Sequence, residues 1–156
     1  AGGLVAASAA WPAALGLYVW AGGLFLAGSL LDALDGPLAR HAGAESRFGA
    51  VLDAFMDRIG EGALLIGLCI HFAAAMQPLW AGMTALTLLA SLLTSYLRAW
   101  GERFSLAMGG DWLTRPERVL VLGVGLMLGM PEAALVIVLL LAACAVAVRL
   151  RRLRRC

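Results

Sequence analysis

The chain has 156 residues, of which 62% are hydrophobic and 14% charged, with a formal net charge of +2 and a mean hydropathy of +0.89. That composition excludes an ordinary water-soluble domain and identifies an integral membrane protein. Arginine supplies all 12 basic residues, and the charges fall into three clusters, over 32–61, 98–118 and 149–155.

In chain order, residues 1–31 carry no charge, 62–97 none apart from a possible charge on His71, and 119–148 only Glu132. Each neutral stretch has a turn signal near its middle, at Trp11-Pro12, at Met76-Gln77-Pro78 and at Gly129-Met130-Pro131, so each reads as a helical hairpin that crosses the bilayer and returns. The spacing predicts a short helical remnant over 2–9, then helices over 12–40, 46–75, 79–108, 115–130 and 132–154. All three charged clusters then share one side, which the positive-inside rule makes cytoplasmic. The remnant is too short to span, so the chain reads as N-terminally truncated, with a first helix largely missing. The small residues Ala7, Ser8 and Ala9 resemble a signal-peptide cleavage site, but no basic segment leads into them.

Cys69, Cys144 and Cys156 show neither metal-ligand spacing nor a disulfide framework. His41 and His71 carry no assignable chemistry. Small residues are frequent in the spans. Gly125 and Gly129 form a small-xxx-small pair that permits close helix approach, within a chain or between chains.

The chemistry concentrates between residues 32 and 57. Asp32 and Asp35 share one helix face at i, i+3, and Asp53 and Asp57 share a face at i, i+4 on the next, antiparallel helix. Four carboxylates in apolar surroundings repel one another unless cations are present, and hard oxygen donors of this kind suit magnesium, manganese or calcium rather than zinc. Magnesium held by a few carboxylates commonly completes its shell with phosphate oxygens, which implies a phosphate-bearing substrate. Gly36 and Gly49 let backbone or ligand come close, and Arg40 can clamp a phosphate.

The run Asp32, two residues, Asp35-Gly36, two residues, Ala39-Arg40, eight residues, Gly49, three residues, Asp53, three residues, Asp57 resembles the signature of the CDP-alcohol phosphatidyltransferases at every position. The resemblance implies an all-α, polytopic bundle of six transmembrane helices around a cytoplasm-facing polar cavity. Residues 1–156 would form a single transmembrane catalytic domain, with 149–156 as a basic cytoplasmic tail. The implied activity is transfer of a phosphatidyl group from CDP-diacylglycerol to an alcohol, with release of CMP. By the same resemblance, Asp32, Asp35, Asp53 and Asp57 would bind Mg2+ or Mn2+, and Asp57 would also be the general base. Asp32, Gly36, Ala39, Arg40, Ser46 and Gly49 would hold the CDP-lipid.

A second set bears on the acceptor. Arg98, Arg115, Arg118 and Arg149 bring basic side chains from the other two clusters toward the motif, and such a pocket suits an anion. The pattern resembles the actinobacterial phosphatidylinositol phosphate synthase subgroup, which implies inositol phosphate as acceptor, its phosphate held by Arg98, Arg118 and Arg149. Arg98 stands where those relatives have lysine, and Trp100 where a further basic residue is expected. Thr114 and Glu117 also form a capping box with Pro116 in the first turn, so part of this segment starts a helix. Arg149 opens a run of arginines that can anchor to anionic lipid. The implied partners are CDP-diacylglycerol, a phosphorylated polyol, the bilayer and a second copy of the chain, with no nucleic acid. The implied location is the cell's inner (plasma) membrane. The alternatives are another acceptor in the same family, such as glycerol 3-phosphate for phosphatidylglycerol phosphate synthesis, an ion-coupled transporter, or a noncatalytic scaffold.

Overall fold

In the computed structural model, residues 2–41, 47–103 and 115–153 are described; within them, the side chains of 35–41, 47, 50, 102–103 and 152–153 are not. The described residues are helical apart from the turns that join the helices: α1 Gly2–Ser8, α2 Ala10–Ala14, α3 Tyr18–His41, α4 Arg47–Ala74, α5 Pro78–Arg103, α6 Arg115–Met127 and α7 Pro131–Leu153. With α1 and α2 taken as one kinked rod, this is the six-helix bundle expected.

The kink has a local cause. Pro12 has no N–H to donate to the Ser8 carbonyl, and its ring presses on the preceding turn. The Ala9 amide bonds instead to Ala6 O at 3.2 Å, and helical bonding resumes with Ala13 N to Ala9 O at 3.1 Å. Proline here bends a helix that continues to Ala14, so the turn expected at Trp11-Pro12 lies at Leu15-Gly16-Leu17, and the helix expected over 12–40 is broken there. The first segment, expected over 2–9, is correspondingly longer.

All three hairpin turns are built alike. Leu17 N donates to Pro12 O and Gly16 N to Ala13 O. Gln77 N donates to Phe72 O and Met76 N to Ala73 O. Met130 N donates to Gly125 O and Gly129 N to Leu126 O. Each pair caps the last carbonyls of a helix through one left-handed residue, with φ of 74° at Gly16, 57° at Met76 and 70° at Gly129. The other two expected turns are thus where the sequence puts them, with Pro78 and Pro131 opening the next helix at the position where a missing N–H costs nothing.

The core is made of small side chains from the first rod and larger ones from the rest. Ala6, Ala9 and Ala13 are fully buried with Phe25, Leu64, Leu68, Leu122 and Leu135. Backbones come within touching distance at glycines. A Cβ on Gly28 would stand 2.3 Å from Ala6 N, and one on Gly67 would stand 2.3 Å from Ala10 O. Because these neighbours are backbone atoms, Gly67→Ala can be relieved only by moving α2 off α4. It is expected to cost about 2 kcal/mol, read as a lowered unfolding midpoint in detergent. Gly125 packs within the chain, its face against Ala134 of α7, whereas Gly129 is spent on the turn.

Two segments, Pro78–Gly101 and Pro131–Arg151, are long and apolar enough to cross a membrane. Their outward faces carry exposed apolar residues such as Leu86, Leu89, Leu93 and Leu140. An apolar exterior of that kind suits lipid rather than water, and the chain reads as a membrane protein.

Candidate active site

The hairpins gather the polar groups of α3 to α7 at one end of the bundle. On α4, Asp53, Asp57 and Glu61 recur every fourth residue and share one face. That face meets α5 at Thr94, Ser95 and Arg98, α6 at Arg115 and Arg118, and α7 at Arg149, around a cavity of about 240 Å³. Arg98, Arg118 and Arg149, expected from sequence to form an anion pocket, therefore line one cavity together with Asp53 and Asp57.

The floor of the cavity is a buried network. Arg118, 3% exposed, and Glu61, 4% exposed, form a bidentate pair: Arg118 Nε donates to Glu61 Oε1 at 3.0 Å and Nη2 to Oε2 at 3.2 Å. Arg118 Nη1 donates to Thr94 Oγ1 at 3.2 Å, and Ser91 Oγ donates to Glu61 Oε1 at 2.7 Å. Thr94 passes its own hydroxyl proton to Ser91 O at 2.8 Å. Arg149, 2% exposed, donates through Nη1 to Thr94 O. A buried charge is tolerable when it is paired and hydrogen-bonded, and this network pairs Arg118 with Glu61 through two hydrogen bonds.

The aspartates stand apart from the network. Asp57 Oδ1 forms an ion pair with Arg115, 2.6 Å from its Nη1. The Asp57 carboxyl also feels the negative charges of Asp53 and Asp32. Asp32, on α3, is backed by the start of α1: a Cβ on Gly2 would stand 2.6 Å from its Oδ1, and one on Gly3 would stand 3.3 Å from its Oδ2. Asp32 Oδ2 is buried with no hydrogen-bond donor among the described residues, and Asp57 Oδ1 is buried facing the Arg115 guanidinium. An acceptor in the state of Asp32 Oδ2 is suited to a cation.

Asp35, Gly36, Ala39 and Arg40 fall in the last turns of α3, but their side chains lie outside the described residues, and so does Ser46 altogether. Gly49 is exposed in the first turn of α4. Without Asp35 the cage is incomplete, and among the described residues no group of three or more His, Cys, Asp or Glu side chains is arranged to hold a metal ion. Helix α6 begins at Arg115 with Glu117 in its first turn. Thr114, expected from sequence to cap it, lies outside the described residues.

Sequence reasoning missed Glu61, Ser91 and Thr94, and left Arg115 out of the acceptor set. A signal for Glu61 was present, because it extends the four-residue ladder of Asp53 and Asp57 into an apolar helix.

The profile of the CDP-alcohol phosphatidyltransferase family matches residues 3–149. The chain belongs to that family. Among curated members it is similar to the phosphatidylinositol phosphate synthase of Corynebacterium glutamicum, 40% identical over 127 residues, covering 76% of this chain and 56% of that protein. It is also similar to the synthase of the same name from Mycobacterium tuberculosis, 42% identical over 98 residues, covering 62% of this chain and 45% of that protein. The chain thus spans about half the length of the curated relatives it matches. Two crystal structures of the M. tuberculosis synthase share the fold, each with a TM-score of 0.82 over 98% of this chain. One, in complex with manganese and citrate, is 32% identical and covered over 77% of its length. The other, with CDP-DAG bound, is 33% identical and covered over 81%. The fold and family expected from the aspartate run are therefore met.

Proposed function

We propose that this phosphatidyltransferase moves the phosphatidyl group of CDP-diacylglycerol onto inositol phosphate, releasing CMP. The observation that carries the reading is the meeting, in one cavity, of the α4 aspartates with Arg98 of α5, Arg118 of α6 and Arg149 of α7. A donor site for a metal-bound diphosphate beside a cationic acceptor site is what this exchange needs. The names of the relatives support the same acceptor.

Asp32, Asp35, Asp53 and Asp57 would hold Mg2+ or Mn2+, and the buried Asp32 Oδ2, which has no hydrogen-bond donor among the described residues, fits such a role. The bound cations supply charge neutralisation for the pyrophosphate and the departing nucleotide. Gly36, Ala39, Arg40, Ser46 and Gly49 would line the CDP moiety. The arginines bind the acceptor phosphate and turn its hydroxyl toward the lipid-side phosphorus. As the new P–O bond forms, Asp57 takes the hydroxyl proton, the bond from that phosphorus to the CMP oxygen breaks, and CMP leaves. The chain would lie as a multi-pass protein in the cell's inner membrane with this cavity facing the cytoplasm, where its arginine clusters belong, and would work as a homodimer.

Membership of the family argues against the transporter reading. Glycerol 3-phosphate remains the competing acceptor, since it offers the same anion. With radiolabelled CDP-lipid, CMP release should be fastest with inositol phosphate, slower with glycerol 3-phosphate, serine or inositol, and lost on chelation with EDTA until magnesium or manganese is restored. A preference for glycerol 3-phosphate, or full turnover in EDTA, would overturn the reading.

A further inference from the structure

The family signature ends at Asp57, and nothing in it speaks for Glu61, one turn deeper. We propose that Glu61 is a positioning residue for the acceptor phosphate, acting through Arg118. This inference rests on the acceptor reading above and adds to it the group that determines how the arginine is presented.

The hydrogen bonds argue for this role. A guanidinium has five N–H donors in a rigid plane. Arg118 spends Nε–H and one Nη2–H on the two oxygens of Glu61, and one Nη1–H on Thr94. One donor is left on each terminal nitrogen, the arrangement that grips two oxygens of a phosphate at once, and Arg118 lines the cavity. Glu61 is itself held: Ser91 donates to Oε1, the oxygen that Arg118 Nε also uses. Ser91 on α5 therefore fixes the carboxylate on α4, and the carboxylate fixes the guanidinium plane on α6.

Two physical effects of Glu61 oppose each other, and their balance is measurable. As a counter-ion it weakens the pull of Arg118 on any anion; as a clamp it removes the rotational freedom that a phosphate would otherwise have to freeze out. A bidentate grip is steeply dependent on orientation whereas a charge at the cavity wall is not, so the clamp wins.

The test uses the full chain in detergent with magnesium, inositol phosphate and CDP-diacylglycerol. Glu61→Gln keeps the size and one acceptor oxygen but loses the symmetric carboxylate; Ser91→Ala removes only the bond that orients Glu61. The KM for inositol phosphate is expected to rise about tenfold in Glu61→Gln and by a smaller factor in Ser91→Ala, with kcat and the KM for CDP-diacylglycerol within about twofold of the parent. Inhibition by inorganic phosphate should weaken in parallel. An unchanged or lowered acceptor KM in both variants would overturn the clamp and leave Glu61 a counter-ion. Equal changes in both KM values would reduce it to a fold-stabilising residue. If the unaltered chain shows no preference for a phosphorylated acceptor, the acceptor reading fails first, and the parent enzyme alone reveals that.

Discussion

Asp57→Asn is expected to lower kcat about a thousandfold while CDP-diacylglycerol still binds. Asparagine keeps the shape of the side chain and a carbonyl oxygen, so the packing of α4 against its neighbours is preserved. It removes the negative charge and the ability to accept a proton from an attacking hydroxyl. Asp57 is suited to that task by its surroundings, since it sits in the cavity with Asp53 and Arg98. Its cationic neighbour, Arg115 at 2.6 Å, favours the ionised form a base requires, against the burial and the nearby Asp53 and Asp32 that disfavour it. The measurement is CMP release from radiolabelled CDP-lipid in parallel with equilibrium binding of the same lipid. A variant within tenfold of the parent rate would show that another group takes the proton.

How much of this was legible beforehand differs from element to element. A proline two residues after the left-handed residue, as in Met76-Gln77-Pro78 and Gly129-Met130-Pro131, located two turns, because a proline at that distance opens the next helix. At residues 11–17 the same pair is separated: Pro12 kinks a helix it does not end, and Gly16 makes the turn alone inside an unbroken apolar run. Periodicity carries no information on which of the two breaks the chain. The aspartates were legible since their spacing is set within two consecutive helices, and a metal-dependent chemistry follows from donor type alone. The buried network was not. Arg118 meets Glu61 across 57 positions and Arg149 meets Thr94 across 55, and these pairings depend on how α4, α5, α6 and α7 pack. From sequence an arginine destined for a phosphate and one destined for an internal carboxylate look alike. In the folded chain Arg118 has donors enough for both.

That double use makes Arg118→Ala the most revealing second substitution, because it should damage two properties at once. Truncation leaves the Glu61 carboxylate buried without its cation, which is expected to cost about 3 kcal/mol of stability. It also removes two phosphate-directed donors, so the KM for inositol phosphate should rise about tenfold to a hundredfold, with the KM for CDP-diacylglycerol little changed. The two losses can be separated by taking both charges away. In Arg118→Met combined with Glu61→Leu no ion is left stranded, and replacing a buried ion pair by apolar side chains of similar volume is commonly neutral or better. Thr94 keeps its bond to Ser91 O, and Ser91 can turn to a carbonyl of its own helix. The thermal midpoint should therefore return close to that of the parent while the acceptor KM stays high. Recovery of both together would mean that Arg118 serves only the fold; recovery of stability alone assigns it to the acceptor.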